Sequence, residues 1–280
     1  MDSTIIQFLH QLNTQFYKEQ GASFAQTRGA PWHGWNQCLE VLLLCHGDGS
    51  PGTQEAVEVC QENRPHGTLS VLDLACGNMR FADFLAEKLP DTAISYYGVD
   101  NSDEMSAKGT FLQSYQSLDI VQLLAGEGVV EVTKRLEAPP CELSVSFGFM
   151  HHIPGQSLRR QLLEAMIAHT NPGGYIIVSF WQFLNSPDLA RKAEITHAQA
   201  LADFAGLDTT PPLCGALEGG DYFLGWQGKP GAYRYCHSFS SAEIDQLIDE
   251  ISDKAQLVAR FDADGRTRNL NHYLVLKKTL

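Results

Sequence analysis

Short, continuous apolar runs alternate with helical patterns through the middle of the chain, from about residue 69 to residue 180. Apolar runs of four to eight residues between turn residues predict strands that are buried on both faces, whereas apolar residues spaced three and four apart predict helices. The runs predict strands at Leu69–Leu74, Ile94–Val99, Cys141–Phe147 and Tyr175–Phe180. Buried strands that alternate with helices indicate an α/β fold with a doubly wound, mostly parallel sheet.

The remaining pattern predicts the rest of the architecture. Helices are predicted at Ile5–Tyr17, Asn36–Leu44, Phe81–Leu89, Glu104–Tyr115, Leu158–His169, Pro187–Phe204 and Ser241–Ile251, with one helical turn at Gln54–Cys60. A polar break is predicted at Gly21–Ser23, a turn at Asn171–Gly174, and a hairpin-like strand pair at Leu257–Phe261 and Asn271–Leu276. We therefore expect one domain over residues 1–280, made of an N-terminal helical extension (1–67), a cofactor-binding core (68–184), an inserted lid or substrate segment (185–240) and a final helix with the strand pair (241–280).

Composition and charge narrow the function. Of the 280 residues, 44% are hydrophobic and 19% are charged, which is typical of a globular protein. The 20 Lys and Arg residues and 33 Asp and Glu residues give a net charge of −13. This acidity disfavours a broad phosphate-binding face, although a small basic pocket could still bind nucleic acid. No apolar run approaches the roughly 20 residues of a membrane helix, and Met1–His10 lacks the basic start of a signal peptide. We expect a cytoplasmic protein without membrane contact.

The cysteines do not predict a structural framework. Their number is odd and no two stand at C-x-x-C spacing, so neither a disulfide framework nor a metal site is predicted. We expect reduced thiols, as is usual in the cytoplasm. The seven residues are Cys38, Cys45, Cys60, Cys76, Cys141, Cys214 and Cys236.

The segment after the first predicted strand carries the clearest chemistry. There the strand runs into small residues, Ala75 and Gly77, and then into a helix, an arrangement that binds ligands at the carboxyl edge of such sheets. The G-x-G-x-x-G fingerprint of dinucleotide-binding proteins is absent, and Asp73 would repel a pyrophosphate but could accept hydrogen bonds from an ammonium group. An NAD-dependent oxidoreductase is therefore disfavoured. Asp100, at the end of the second strand, is placed to accept both ribose hydroxyls of an adenosine.

Four segments in this order resemble the motifs of class I S-adenosylmethionine-dependent methyltransferases. They are Asp73-x-Ala75-x-Gly77-Asn78, Tyr97–Asp100, Ser146–Ile153 and Asn171–Tyr175. The resemblance implies a Rossmann-like sheet of seven strands and S-adenosyl-L-methionine as cofactor. Two positions depart from the usual motif, because Ala75 and Met79 stand where glycine is common. A methionine would narrow the turn, so Met79 puts the affinity for the cofactor in doubt.

The resemblance also implies a set of cofactor-binding residues. Arg28 could pair with the methionine carboxylate of the cofactor, since guanidinium groups bind carboxylates bidentately, or it could be a surface arginine. Asp119 could flank the adenine, or it could be an ordinary loop acid. The full set of candidates is Arg28, Asp73, Ala75, Gly77, Asp100, Asp119 and Phe147.

Further segments resemble a narrower family, the tRNA wobble-uridine carboxymethyl methyltransferases, which are related to the methyltransferase domain of a tRNA-modifying AlkB homologue. The segments are Phe24–Arg28 with Pro31-Trp32, Gly220–Trp226, Tyr233–Phe239, and Asn271–Tyr273 with Lys277. This resemblance implies an enzyme that esterifies a carboxylate on a modified uridine of tRNA. In eukaryotes such enzymes work with a small zinc-containing partner, and nothing in this sequence shows that the chain needs one.

Three residues are candidates for the reaction itself: His152, Arg234 and His237. Arg234 suits an acidic or phosphate-bearing substrate, although its segment could instead be a lid packed by aromatic rings. A carboxylate nucleophile is ionised at neutral pH and needs no base, whereas an amine, hydroxyl or carbon nucleophile would need one, which His152 or His237 could supply. Three functions stay open: a methyltransferase acting on tRNA, one acting on a small acidic metabolite, and a catalytically silent partner subunit that binds the cofactor.

Overall fold

The computed structural model describes residues 1–27, 29–46, 68–102, 112–206 and 213–280. Its strands in chain order are β1 (Leu69–Leu74), β2 (Ile94–Asp100), β3 (Leu112–Ser117), β4 (Cys141–Ser146), β5 (Thr170–Trp181), β6 (Asp221–Trp226), β7 (Lys229–His237), β8 (Ala255–Ala263) and β9 (Asn271–Lys278). Its helices are α1 (Ser3–Gln26), α2 (His33–His46), α3 (Arg80–Lys88), α4 (Ile120–Gly126), α5 (Val129–Arg135), α6 (Gln156–Ala168), α7 (Pro187–Asp203), α8 (Leu213–Ala216) and α9 (Ser241–Glu250), with short 3-10 helices at Met150–His152 and Phe183–Asn185.

Seven of these strands form one sheet in the order β3-β2-β1-β4-β5-β9-β8. Neighbouring strands from β3 to β5 are parallel, and β9 runs antiparallel to both β5 and β8. Buried apolar side chains form a core on each face of the sheet, one around Leu72 and Leu74 and the other around Val71 and Tyr96. The prediction of a doubly wound, mostly parallel, Rossmann-like sheet of seven strands is confirmed.

The predicted apolar runs agree closely with the strands. The run at Leu69–Leu74 coincides with β1, and the predicted C-terminal hairpin is confirmed by the pairing of β8 with β9. The segment Asn171–Gly174, which was expected to be a turn, lies within β5 instead. Gly173 adopts a positive φ of 73° there, so this start of the strand departs from a regular extended backbone.

One expectation about the helices is wrong, and a second is wrong over its last four residues. Helix α1 does not break at Gly21–Ser23 but continues to Gln26, because Gly21 is buried and Phe24 packs on Trp226, with 5.1 Å between the ring centroids. This packing outweighs the weak local helix propensity. The helix predicted at Glu104–Tyr115 lies outside the described residues up to position 111, and residues 112–115 belong to β3. The predicted turn at Gln54–Cys60 also lies outside the described residues.

The segment 185–240 contains a second small sheet, which sequence patterns did not predict. Strands β6 and β7 pair antiparallel, with Phe223 opposite Tyr235. Helix α1 packs against β7, and their shared cluster includes Ile5, Leu9 and Tyr233. In this way the N-terminal helix and the β6–β7 hairpin form a wall beside the carboxyl edge of the main sheet. None of the helices in the described ranges has the length and hydropathy of a membrane-spanning segment.

Candidate active site

A cavity of about 630 Å³ opens at the carboxyl ends of β1, β2 and β4. Its size is in the range of ligand-binding pockets. The order of the strands along the chain reverses between β1 and β4, and ligands of doubly wound sheets bind at such a switch point. Segments after these three strands line one side of the cavity, and α1 with the β8–β9 connection lines the other.

The turn after β1 is tightly folded. Ala75, Gly77 and Met79 all adopt positive φ angles, of 62°, 53° and 58°. Ala75 and Gly77 line the cavity, where their small side chains leave the backbone accessible. Met79 is fully buried in the apolar core, and its Cε atom would lie 2.6 Å from a Cβ placed on Gly98. Its side chain therefore packs in the core, and Met79 is not among the residues that line the cavity. Its effect on cofactor affinity stays a prediction.

Asp73, near the end of β1, lines the cavity with an exposed fraction of 3%. The hydroxyl of Tyr96 donates a hydrogen bond to its Oδ2. Burial raises the pKa of the Asp73 carboxyl to about 7, against the lowering effect of the bond from Tyr96 and with a further raising effect from Asp100. A positively charged group placed beside Asp73 would favour its ionised form.

Asp100, the last residue of β2, connects this turn to the neighbouring strand. Its Oδ2 accepts a hydrogen bond from the N–H of Gly77 at 2.9 Å, and its Oδ1 accepts one from the N–H of Ser102 at 2.9 Å. These two contacts fix the orientation of the carboxylate, and Asp100 lines the cavity.

Asp119 and Phe147 also line the cavity. Asp119 caps α4 by accepting from the N–H of Gln122, and it accepts from Nε2 of His10 at 2.9 Å. Partial burial opposes ionisation of Asp119, but the bonds from His10 and Gln122 outweigh it and lower the pKa of the carboxyl. Phe147 packs on Phe81, with 4.8 Å between the ring centroids. Arg28 lies outside the described residues, so its predicted role stays a prediction.

Arg234, on β7, carries a buried charge that faces the cavity. It is 6% exposed, and its Nη1 has no hydrogen-bond partner among the residues that the structure describes. Three aromatic rings surround the guanidinium carbon: Phe16 at 5.1 Å, Phe24 at 5.4 Å and Trp226 at 5.6 Å from the ring centroids. Such cation–π contacts stabilise the charge but do not replace hydrogen bonds to its N–H groups.

The two candidate histidines have different surroundings. His152, on the 3-10 helix after β4, lines the cavity and is 7% exposed. His237 is fully buried outside the cavity lining, with Nδ1 2.7 Å from Asp221 and Nε2 2.9 Å from Glu243. The structure therefore brings His152 and Arg234 into one cavity with the six described cofactor candidates, and it does not bring His237 there.

Helix α1 contributes cavity residues that the sequence analysis did not single out, among them His10, Asn13 and Tyr17. The hydroxyl of Tyr17 lies 2.7 Å from Nε2 of His152. Asn13 is a buried polar residue among the apolar positions of α1, with an exposed fraction of 6%. A polar residue on the apolar face of a helix was the one signal in the sequence for these contacts.

Two clusters in the described part of the chain have side chains suited to a metal ion: His151 with His152 and Cys236, and Glu218 with Asp221 and His237. In the first, Nδ1 of His152 lies 3.0 Å from the carbonyl oxygen of Tyr235 and Nε2 lies 2.7 Å from the hydroxyl of Tyr17, so both ring nitrogens have hydrogen-bond partners in the protein. In the second, the guanidinium of Arg159 already supplies the positive charge, 2.9 Å from Glu218. The expectation of a site without metal stays a prediction.

Comparisons with known proteins give distant similarities. No protein-family model matches the chain, and no curated protein matches it. Among solved structures, an S-adenosylmethionine-dependent methyltransferase from Methanosarcina mazei has 16% identity and a TM-score of 0.49, over 75% of this chain and 92% of that chain. The N-methyltransferase NodS from Bradyrhizobium japonicum WM9, in complex with S-adenosyl-L-homocysteine, has 11% identity and a TM-score of 0.43, over 75% and 78%. At these values the function has to be argued from the residues of the cavity.

Proposed function

We propose that the chain is an S-adenosyl-L-methionine-dependent methyltransferase whose acceptor carries an anionic group bound by Arg234. The observation that supports this acceptor is the buried guanidinium, whose Nη1 lacks a partner among the described residues. A buried charge without a partner costs several kcal/mol. A carboxylate or phosphate offsets that cost because its oxygens match the fork of donors on a guanidinium.

The residues at the strand ends suit the cofactor. Asp73 would accept from its ammonium group and Asp100 from its ribose hydroxyls, while Ala75 and Gly77 allow close approach to the backbone. Asp119 and Phe147 would flank the adenosine. The cofactor, when bound, supplies an electrophilic methyl group. The part of the protein is to hold the acceptor in line with that group at reacting distance.

A carboxylate on a modified tRNA uridine is the acceptor that the resemblance of the motifs favours. The net charge of −13 favours a different acceptor, a small acidic metabolite, because repulsion weakens the approach of a polyanion. A catalytically silent subunit that binds the cofactor is the third alternative. These three alternatives predict different acceptors of the methyl group, or none, and a different salt dependence of tRNA binding.

Calorimetric titration tests the cofactor. We expect binding of S-adenosylmethionine and S-adenosylhomocysteine and no binding of NAD. If neither of the first two ligands binds, the proposed function is wrong.

Transfer of labelled methyl groups to bulk tRNA and to a pool of small carboxylic acids tests the acceptor. Arg234→Ala should raise KM by about tenfold to a hundredfold, since a hydrogen bond to a charged group contributes about 1.5–3 kcal/mol. Arg234→Lys should recover part of the loss, and Arg191→Ala, on an arginine whose side chain is 72% exposed, is the matched control. Unchanged KM in Arg234→Ala would refute the role of Arg234.

Salt dependence separates the two acceptors. Each tRNA phosphate that the protein neutralises steepens the slope of log affinity against log salt by roughly 0.7 to 0.9. Binding of bulk tRNA is therefore compared at about 50 and 200 mM salt. Weak binding with little salt dependence would exclude the tRNA acceptor and leave the small acid. If neither tRNA nor the small acids receive labelled methyl groups, the silent subunit remains.

A further inference from the structure

Tyr17 and His152 form a hydrogen-bonded pair in the cavity wall. Contacts of His152 with the neighbouring backbone indicate which of the two residues donates the hydrogen bond. Nδ1 of His152 lies 3.0 Å from the carbonyl oxygen of Tyr235 and 3.3 Å from Nδ2 of Asn13. The carbonyl is the nearer partner and only accepts hydrogen bonds, and Nδ2 of Asn13 itself donates to that carbonyl, so we assign the proton to Nδ1. In the neutral ring Nε2 therefore has the lone pair, and it accepts from the hydroxyl of Tyr17 at 2.7 Å. The pair is set to move a proton from the phenol to the imidazole.

Asn13 fixes this arrangement from the other side. Its Oδ1 accepts from the N–H of Tyr235 at 2.7 Å, and its Nδ2 donates to the Tyr235 carbonyl at 3.1 Å. The same amide thus docks α1 on β7 and places Tyr17, one turn further along α1, against His152. Among the described residues, other titratable groups facing the imidazole include Cys236, with Sγ 3.8 Å from Nδ1, and the ring of His151, 4.1 Å away between centroids.

We propose that Tyr17 and His152 together deprotonate the acceptor, so that the methyl group goes to a hydroxyl or amine of an acid-bearing substrate and not to its carboxylate. This inference rests on the proposed function. A carboxylate nucleophile is already ionised and would have no use for a proton acceptor. The oxygens of a carboxylate bound by Arg234 accept hydrogen bonds from the guanidinium N–H groups. Such a carboxylate is better suited to anchoring the substrate than to attacking the methyl group.

The step balances within these groups. The acceptor O–H or N–H gives its proton to Oη of Tyr17 as the phenol proton passes to Nε2 of His152. The freed lone pair forms a bond to the methyl carbon, the carbon–sulfur bond breaks, and its electron pair stays on sulfur in S-adenosylhomocysteine. The resulting imidazolium keeps its Nδ1–H bond to the Tyr235 carbonyl, so no heavy atom has to move.

Tyr17→Phe tests the role of the hydroxyl and keeps the ring, which packs on Phe16, Phe24 and His152 with centroids 5.3–5.4 Å apart. The probes are hydroxyphenylacetate and aminophenylacetate, with phenylacetate and carboxymethyluridine as acceptors that offer their carboxylate. The parent should place alkali-stable label on the first two, and Tyr17→Phe should lower kcat by about 10²- to 10⁴-fold at unchanged KM. Tyr233→Phe, which loses a hydroxyl bound to Asp203 outside the cavity, is the matched control.

Two further measurements separate a catalytic from a structural role. In the parent, kcat/KM should fall about tenfold for each unit by which the pH is lowered, once His152 is mostly protonated. The Tyr17→Phe variant should not show this decrease. Nitrogen-15 NMR of the ligand-free protein should show neutral His152 protonated at Nδ1, and this measurement needs no acceptor. Alkali-labile label alone, equal kcat in Tyr17→Phe, or neutral His152 protonated at Nε2 would each overturn the inference. Failure of S-adenosylhomocysteine to bind would overturn the proposed function instead.

Discussion

Asp73→Asn should make the ligand-free protein more stable and at the same time abolish tight binding of the cofactor. The amide has nearly the size of the carboxyl group and can still accept the hydrogen bond from Tyr96. It cannot ionise, so it carries neither the cost of a buried charge nor the attraction for an ammonium group. Stability and cofactor affinity should therefore change in opposite directions.

The magnitude follows from the environment of Asp73. Burial raises the pKa of its carboxyl from 3.8 to about 7, a shift of about 3 units. At about 1.4 kcal/mol per unit, the ionised carboxylate lowers the free energy of unfolding by up to about 4 kcal/mol. The folded protein binds more protons than the unfolded chain between pH 3.8 and about 7, so this loss grows as pH rises through that window. The gain in the free energy of unfolding of Asp73→Asn should be near zero at pH 3.8 and should reach its full value above about pH 7.

Urea unfolding at several pH values between 5 and 8, followed by tryptophan fluorescence, measures the gain. Asp188→Asn, at a carboxylate whose side chain is 82% exposed, is the control and should change little. Calorimetry with S-adenosylhomocysteine should show affinity rising with pH toward neutrality in the parent and weak, pH-independent binding in Asp73→Asn. An equal gain at pH 5 and pH 8, or unchanged affinity, would refute the reasoning.

Three other variants probe the turn, the strand end and the buried network. Asp100→Ala should weaken S-adenosylhomocysteine binding by roughly 1.5–3 kcal/mol in calorimetry. Met79→Gly should lower the free energy of urea unfolding by about 2–5 kcal/mol, because it empties core volume, and leave cofactor affinity intact. Although partial burial opposes it, the bonds from His237 and Ser240 lower the pKa of Glu243 to about 2. Glu243→Gln should therefore be less stable than the parent above pH 4.5, with a difference that shrinks as pH falls toward 2.

The sheet could be predicted from sequence because strands buried on both faces have to be apolar throughout. This constraint gives β1 its bounds at Leu69–Leu74 and places Asp73 and Asp100 at adjacent strand ends. The β6–β7 hairpin follows a different constraint. Residues 233–237 of β7 are all buried, although Arg234 and His237 among them are polar. Burial therefore cannot be predicted from polarity in this strand. The sequence of β7 has no regular alternation of polar and apolar residues from which a strand could be predicted.

The wall formed by α1 could not be predicted because its contacts join distant parts of the chain. Asn13 and Tyr235 are separated by 222 positions, and no local pattern encodes their pairing. The same limit applies to the two candidate histidines. The sequence around His152 and His237 does not tell their roles apart, and the packing shows that one lines the cavity while Asp221 and Glu243 bind the other.

The acidity of the chain and the cation in its cavity act over different distances. The net charge of −13 repels anions in the surrounding solution, but this field is screened within about 8–10 Å at physiological salt. Arg234 acts at contact distance, in a buried position where screening is weak. A small acid crosses the screened field as a single charge and gains the full contact with Arg234, whereas a polyanion is repelled along its whole length. If Arg234 binds the acceptor as proposed, an acidic chain with a buried arginine would select anions by size as well as by charge.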